Sequence, residues 1–230
     1  MKELVTNSAY FGVAVSLMGY GAGVWLKKKF KYAFLNPLLI SIVFVMAGIT
    51  VLGVDYETYH ASGKYLGYLL TPATVCLAVP LYQQLELLKK NLAAVLCGII
   101  SGVIASLGSV LLLSMLFGIG HEAYVTLLPK SITTAIGVGV SEELGGMTAI
   151  TVAVIVITGV WGNVTGEAVC RLFRITEPIA QGLALGTSSH AIGTSKAMEL
   201  GEIQGAMSSL SIAVAGLLTV LMASVFANFY

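Results

Sequence analysis

Long apolar stretches, separated by short polar ones, constrain this chain more than any other feature. A helix needs roughly 20 mainly apolar residues to cross the hydrocarbon core of a bilayer. Seven stretches approach or meet that length: 5–26, 36–54, 65–83, 92–118, 123–141, 147–170 and 204–228. In lipid the backbone must satisfy its own hydrogen bonds, so helices are expected. Polar and apolar residues show no sustained alternation, which argues against a β-barrel. Charge content agrees: 10% of the 230 residues are charged and 57% are hydrophobic, against about 25% charged in a soluble domain. Too little polar surface exists to coat the molecule in water. The expected fold is an all-α integral membrane protein, a single polytopic domain over 1–230. It has about seven transmembrane helices and one or more broken or re-entrant segments.

The net charge of +1 gives no electrostatic reason to expect nucleic acid. Lys27, Lys28, Lys29 and Lys31 follow the first run, and Lys89 and Lys90 follow the third. The positive-inside rule places both clusters in the cytoplasm. The loop Asp55-Tyr56-Glu57-Thr58-Tyr59 and the N-terminus then face outward. Met1-Lys2-Glu3-Leu4 lacks the pattern of a signal peptide, so the first run is read as a retained helix. Arg171 and Arg174 are cytoplasmic only if one run, such as 123–141, is re-entrant. Segment 178–200 holds Gly182, Gly186 and Gly193 among Ser and Thr and is too polar for an ordinary span. It reads as a broken helix or as a hairpin dipping into the membrane. One re-entrant element and seven crossings put the C-terminus in the cytoplasm. Repeat units at 36–118 and 147–228 would give an inverted repeat. A competing match pairs Leu69-Leu70-Thr71-Pro72 with Leu127-Leu128-Pro129-Lys130 and implies a different symmetry.

Three polar constellations interrupt the apolar runs. In the first, Pro72 and Pro80 lie eight apart, close to Thr71 and Thr74. Each proline removes a backbone donor, so the helix is kinked or interrupted. Carbonyls freed there bind a cation or substrate, or the kink is structural and its threonines satisfy it. In the second, Pro129 can open a helix beside Lys130, Ser131, Thr133 and Thr134. A lysine, helix-end N–H groups and hydroxyls together suit a carboxylate. A charge at membrane depth costs about 2.5–3.5 kcal/mol and asks for a reason; the plain alternative is a lysine snorkelling to the outer interface. In the third, Gly-Thr-Ser occurs at 186–188 and again at 193–195, flanking His190. Thr187, Ser188 and Thr194 are candidate donors, and His190 is a candidate proton carrier. Lys196 is a further candidate, or simply pairs with Glu199. The plain alternative is a solvated loop, against which the many small residues argue.

Other polar residues carry less. Glu142-Glu143 marks a membrane boundary beside Gly145-Gly146, and Glu167 with Arg171 reads as an intrahelical pair. Cys76, Cys97 and Cys170 have neither zinc-site nor disulfide spacing and fit packing roles. No metal or cofactor is expected. A hydrolase using Ser188 or Ser189 with His190 is disfavoured, because adjacent residues seldom reach nucleophile–base geometry and no orienting group is evident. The chain is therefore not expected to be an enzyme.

Taken together, Leu70–Tyr82 (LTPATVCLAVPLY), 128–134 (LPKSITT), 186–195 (GTSSHAIGTS) and the start of the second run at Asn36-Pro37-Leu38-Leu39 resemble the LrgB/CidB family. The likeness covers nearly the whole chain in order. One departure is Ala135, where the family pattern often has proline after the double threonine, so the break there is expected to be milder. The resemblance implies a multi-pass protein of the bacterial cytoplasmic membrane, homo-oligomeric and working with a small LrgA/CidA-type membrane partner. It carries two functional expectations. One is an antiholin-like regulator of murein hydrolase export and lysis. The other is a small-monocarboxylate carrier: the plant members move glycolate and glycerate, and some bacterial pairs are associated with pyruvate. Lysine and hydroxyls within the membrane fit the carrier better than an unspecific pore.

Overall fold

The computed structural model describes residues 8, 10–30, 35, 37–76 and 78–230. The start of the chain at Met1, Lys31, Asn36, and the side chains of Thr71 and Thr74 lie outside the described residues. Every regular element among those described is a helix, and the chain divides into two compact units, Met1–Cys76 and Leu77–Tyr230.

The first unit contains α1 (Phe11–Phe30), α2 (Pro37–Leu52), α3 (Tyr56–Gly67) and α4 (Leu70–Cys76). Its seam is made by small residues. A Cβ at Gly12 would lie 2.5 Å from the Tyr59 carbonyl oxygen, and one at Gly23 2.6 Å from that of Pro37. Glycine is what lets these backbones touch in a setting where close packing replaces the hydrophobic effect. The Gly12 N–H donates to Ser62 Oγ at 2.8 Å across the same seam.

The second unit contains α5 (Ala78–Gln83), α6 (Leu85–Lys90), α7 (Leu92–Phe117), α8 (His121–Leu127), α9 (Thr134–Glu143), α10 (Thr148–Leu172), α11 (Pro178–Leu200) and α12 (Glu202–Ala227). Among the described residues, three helices are long and apolar enough to cross a membrane: α7, α10 and α12, of 26, 25 and 26 residues. Of the expectation of about seven spans, this supports an all-α fold with several membrane-length helices; the beginning of run 5–26 lies outside the described residues. Run 36–54 yields the 16-residue α2. In run 65–83 a turn at Tyr68 and Leu69 precedes α4, and Leu77, between α4 and α5, lies outside the described residues. Pro72 is the third residue of α4, where a missing N–H costs little.

Run 123–141 is a helical hairpin. Arms α8 and α9 have 7 and 10 residues, too short to span, and 128–133 forms the tip. The chain returns to its starting level: the Met147 N–H donates to Thr126 Oγ1 at 2.8 Å, and Thr151 Oγ1 donates to the Thr126 carbonyl at 3.0 Å. Gly145, with φ of 78°, ends α9 in the left-handed region, and the Gly146 N–H closes back on the Ser141 carbonyl.

Segment 178–200 is a second hairpin, the more compact of the two alternatives read from sequence. Its helix is interrupted at His190, whose φ is 43° and ψ −139°. Eight residues apart in sequence, Gly193 and Leu185 meet: a Cβ on the glycine would be 2.5 Å from the Leu185 carbonyl oxygen. The first arm (178–189) runs parallel to α12, with Gly182 against Gln204 and Gly186 against Ser208. The second arm (191–200) runs antiparallel to it, with Met198 against Gly205. Against α7 the first arm is parallel, Gly98 meeting Leu183 and Gly102 meeting Thr187. Against α10 it is antiparallel, Gly166 meeting Leu185 and Gly162 meeting Ser189.

These pairings fix directions. α7 and α12 run one way and α10 the other. The two hairpins enter from opposite ends and stop part-way. Lys89, Lys90, Arg171 and Arg174 share one end. The C-terminus is at the other, where Tyr124 Oη donates to the Phe226 carbonyl at 2.7 Å. Lys90 and Tyr230 therefore cannot both be cytoplasmic, as the sequence reading had it. The reason is that 178–200 turns back and adds no crossing.

Two outcomes follow. In a chain whose Cys76, Cys97 and Cys170 are replaced by serine, single cysteines at Lys90 and Tyr230 should react with an impermeant thiol reagent from opposite faces; labelling from one face refutes this topology. Gly186→Ala puts a Cβ 2.5 Å from the Ser208 carbonyl oxygen and should cost about 1–3 kcal/mol, read as a lowered thermal midpoint in detergent. Gly108→Ala, which meets nothing within 4 Å, should leave the midpoint unchanged or raise it.

Candidate functional site

The tips of the two hairpins meet beside α7 at mid-depth. Ser106 is 14 residues from the start of α7 and 11 from its end, so roughly 21 and 16 Å from the two ends at 1.5 Å per residue. Lys130 reaches it from the first tip. Its Nζ donates to Ser131 Oγ at 3.0 Å and to Ser106 Oγ at 3.3 Å, and Ser106 Oγ donates to Ser131 Oγ at 3.0 Å. Ser131 is buried and Lys130 half-buried. Among the described residues no carboxylate pairs with Lys130; the ion pairs found lie elsewhere. An ammonium held by neutral hydroxyls at this depth is a cation whose charge no described residue balances.

A cavity of about 700 Å³ opens from this cluster. Its walls are α7, through Ala94, Gly98, Gly102 and Ala105, and the first arm of the second hairpin, through Ala180, Leu183, Thr187 and Ser188. The space exists because one wall is built of residues with almost no side chain. A second cavity, of about 340 Å³, lies on the other side of the same arm, against Trp161, Gly162, Thr165 and Gly166 of α10. Lys130, Ala184 and Ser188 line both. Each cavity runs from Lys130 toward the end that carries Lys89, Lys90, Arg171 and Arg174.

Of the candidates named from sequence, Lys130, Ser131, Thr187 and Ser188 line the larger cavity. Thr133 caps α9 with extended backbone, and Thr134 is its first residue; neither lines a cavity described here. His190 is buried and turned away, its Nε2 donating to the Ile155 carbonyl at 3.0 Å. That leaves its ring held by α10 rather than open to the cavity. Thr194 is buried between hairpin and α12, its hydroxyl 3.0 Å from the His190 carbonyl and 2.7 Å from Ser208 Oγ. Lys196 forms an ion pair with Glu167 of α10 at 2.8 Å and with Glu199 at 3.5 Å. The expected Lys196–Glu199 pair is present, and so is Glu167–Arg171, but the contact that joins two elements was not foreseen. Thr71 and Thr74 have side chains outside the described residues.

Sequence reasoning passed over Ser106 and Asn163. Ser106 is one of several serines in α7, and only the fold selects it. Asn163 carried a readable signal as a lone amide in a 25-residue apolar helix. Its Nδ2 donates to the Ile192 carbonyl at 2.7 Å and to Ser195 Oγ at 3.0 Å, which ties the second arm to α10 just past the break.

Comparison with known proteins agrees with these motifs. Residues 16–229 match the LrgB-like family. Proteins of Bacillus mycoides, Bacillus cereus and Bacillus anthracis, each named antiholin-like protein LrgB, are 37% identical over 225 residues. The alignment covers 97% of this chain and 98% of each relative. No solved structure matches. A match of this extent takes in both hairpins and all three spans, and it agrees with the expectation of a multi-pass membrane protein that is not an enzyme. The chain belongs to the LrgB-like family.

Proposed function

We propose that this protein is a secondary transporter, or a transporter subunit, for a small monocarboxylate such as pyruvate, glycolate or glycerate. The observation that carries the reading is Lys130, held by Ser106 and Ser131 where two half-length hairpins converge on a cavity. A carboxylate brought to that point gains a charge-assisted hydrogen bond from the ammonium and neutral ones from Ser131, Thr187 and Ser188. His190 and Thr194 then act by holding the second tip in place, and Lys196 by holding the second hairpin to α10, while Thr133 and Thr134 open α9 behind the first tip. A partner of the LrgA/CidA type and a homo-oligomeric assembly belong to the same reading.

Two further features support alternating access. Residues 92–143 and 148–200 each consist of a long helix followed by a hairpin, and the two long helices are antiparallel. This arrangement supports an inverted repeat of the kind used by secondary transporters, whose sites lie at the interface of the halves. Its bounds differ from the units 36–118 and 147–228 suggested by sequence. The positive-inside rule makes the end with Lys89, Lys90, Arg171 and Arg174 cytoplasmic, so both cavities open inward and the C-terminus lies outside. On that reading both cavities lead from Lys130 toward the cytoplasm, the direction of access that one state of such a carrier requires.

A second reading, an antiholin-like regulator of murein hydrolase export acting with an LrgA/CidA-type partner, is favoured by the name that the relatives carry. It requires no anion site, and it predicts tolerance of substitution at Lys130. The test is uptake of labelled pyruvate and glycolate into proteoliposomes, with and without a co-purified LrgA-type protein. Losing a charged hydrogen bond costs about 1.5–3 kcal/mol, roughly 10- to 100-fold in affinity. Lys130→Ala should therefore abolish saturable uptake at micromolar substrate while reconstituting normally. Ser106→Ala should weaken it less, about 2- to 10-fold for a neutral bond. Undiminished uptake in Lys130→Ala would sink the site assignment. No uptake by the folded wild-type chain in either preparation would favour the regulator.

A further inference from the structure

We propose that Lys130 carries the coupling proton: it is protonated with the carboxylate bound and neutral when the empty site returns. The inference rests on the carrier reading and adds the coupled ion and its stoichiometry. In each cycle one proton and one monocarboxylate enter the neutral site, forming an ammonium–carboxylate pair, and both leave on the other side. Their charges cancel and the empty site carries none, so the whole cycle is electroneutral.

The geometry leaves few other carriers. Among the described residues, Lys130 is the one titratable group lining the larger cavity, and Cys170 joins it in the smaller. α7 contributes only Ala, Gly and Ser to the wall. From α10, Glu167 is engaged by Lys196 and Arg171. From the second hairpin, His190 spends its Nε2 proton on the Ile155 carbonyl. Glu142 and Glu143 of α9 are exposed at the far end of their arm. No carboxylate within the described residues neutralises Lys130, so the substrate itself is the counter-charge. Proton and carboxylate then share one site and must favour each other's binding by the same factor. An ammonium without its anion is costly at mid-depth, and lysine, unlike arginine, can shed its proton there. Among the described residues no cluster of His, Cys, Asp or Glu could hold a metal ion instead.

The test uses proteoliposomes of the full chain, with its LrgA-type partner if uptake requires one, and labelled pyruvate as probe. An inward proton gradient should accelerate uptake, while a potassium–valinomycin potential should not. Lys130→Arg keeps the charge and cannot release it. It should retain pyruvate–pyruvate exchange across the membrane yet lose net uptake by at least tenfold. Lys130→Gln should lose acceleration by the proton gradient, and its residual uptake should become sensitive to voltage. Uptake driven by a sodium gradient or by voltage in the wild type overturns the proposal and leaves the carrier standing. So does separation of exchange from net uptake by His190→Asn in place of Lys130→Arg. Failure of both exchange and uptake in every folded preparation ends the carrier reading and this inference with it.

Discussion

Everything at the site depends on backbone meeting backbone along the second hairpin. Gly182 and Gly186 press on carbonyls of α12, Gly193 presses on that of Leu185, and Gly162 receives Ser189. Broken backbone survives at membrane depth only when it is surrounded by protein that satisfies it. Here the surround is α10 and α12, brought close by the missing side chains. His190 then donates to the Ile155 carbonyl, Asn163 takes the Ile192 carbonyl, and Thr194 bonds the His190 carbonyl. The polar residues at the break are its solvent. A residue with φ of 43° that is not glycine is strained, and this ring of bonds holds it.

The first hairpin is secured differently. Thr126, Ser141 and Thr151 are fully buried hydroxyls, and Thr151 Oγ1 reaches Ser141 Oγ at 2.7 Å. They tie the base of the hairpin to α10 and leave its tip to side-chain contacts alone. The second hairpin is tied at its tip and along both arms. Its ionic tie to α10, Lys196 to Glu167, is partly exposed, with side chains at 18% and 33%. Pairs in that setting add at most about 1 kcal/mol, so this one fixes position more than it stabilises.

The three long spans and both interruptions were legible because each has a local cause. Unbroken apolar length marks α7, α10 and α12. Pro129 with Lys130, and the repeated Gly-Thr-Ser around His190, mark the tips. Length alone does not separate a span from a hairpin: 123–141 is long enough to cross, but Pro129 and the hydroxyls after it divide it into arms of 7 and 10 residues. Whether 178–200 crosses or turns back decides the side of every later residue, and its turn at His190 is not marked by length. At the site, Lys130, Ser131, Thr187 and Ser188, which line the larger cavity, were read as candidates because short motifs announce them. Ser106 was not, because it joins them only when α7 packs beside the first tip. His190 looked reactive by type, yet its partner Ile155 is 35 residues away and cannot be read from its neighbourhood.

The first arm of the second hairpin has a cavity on each side, and Lys130 and Ser188 belong to both. The larger, at about 700 Å³, is far roomier than a three-carbon acid needs. Shape alone therefore cannot select the substrate in this state, and discrimination falls to the few polar groups that converge on Lys130. On the carrier reading the excess volume has a use. One wall of the larger cavity is Ala94, Gly98, Gly102 and Ala105, the other is the arm itself, and small residues allow helices to approach closely. A modest shift of the arm toward α7 would shut the larger cavity, and one toward α10 the smaller. The arm is bound on its third side, where Gly182 and Gly186 lie against the carbonyls of α12. Such a shift would therefore move the arm together with α12, carrying Thr187 and Ser188 with it.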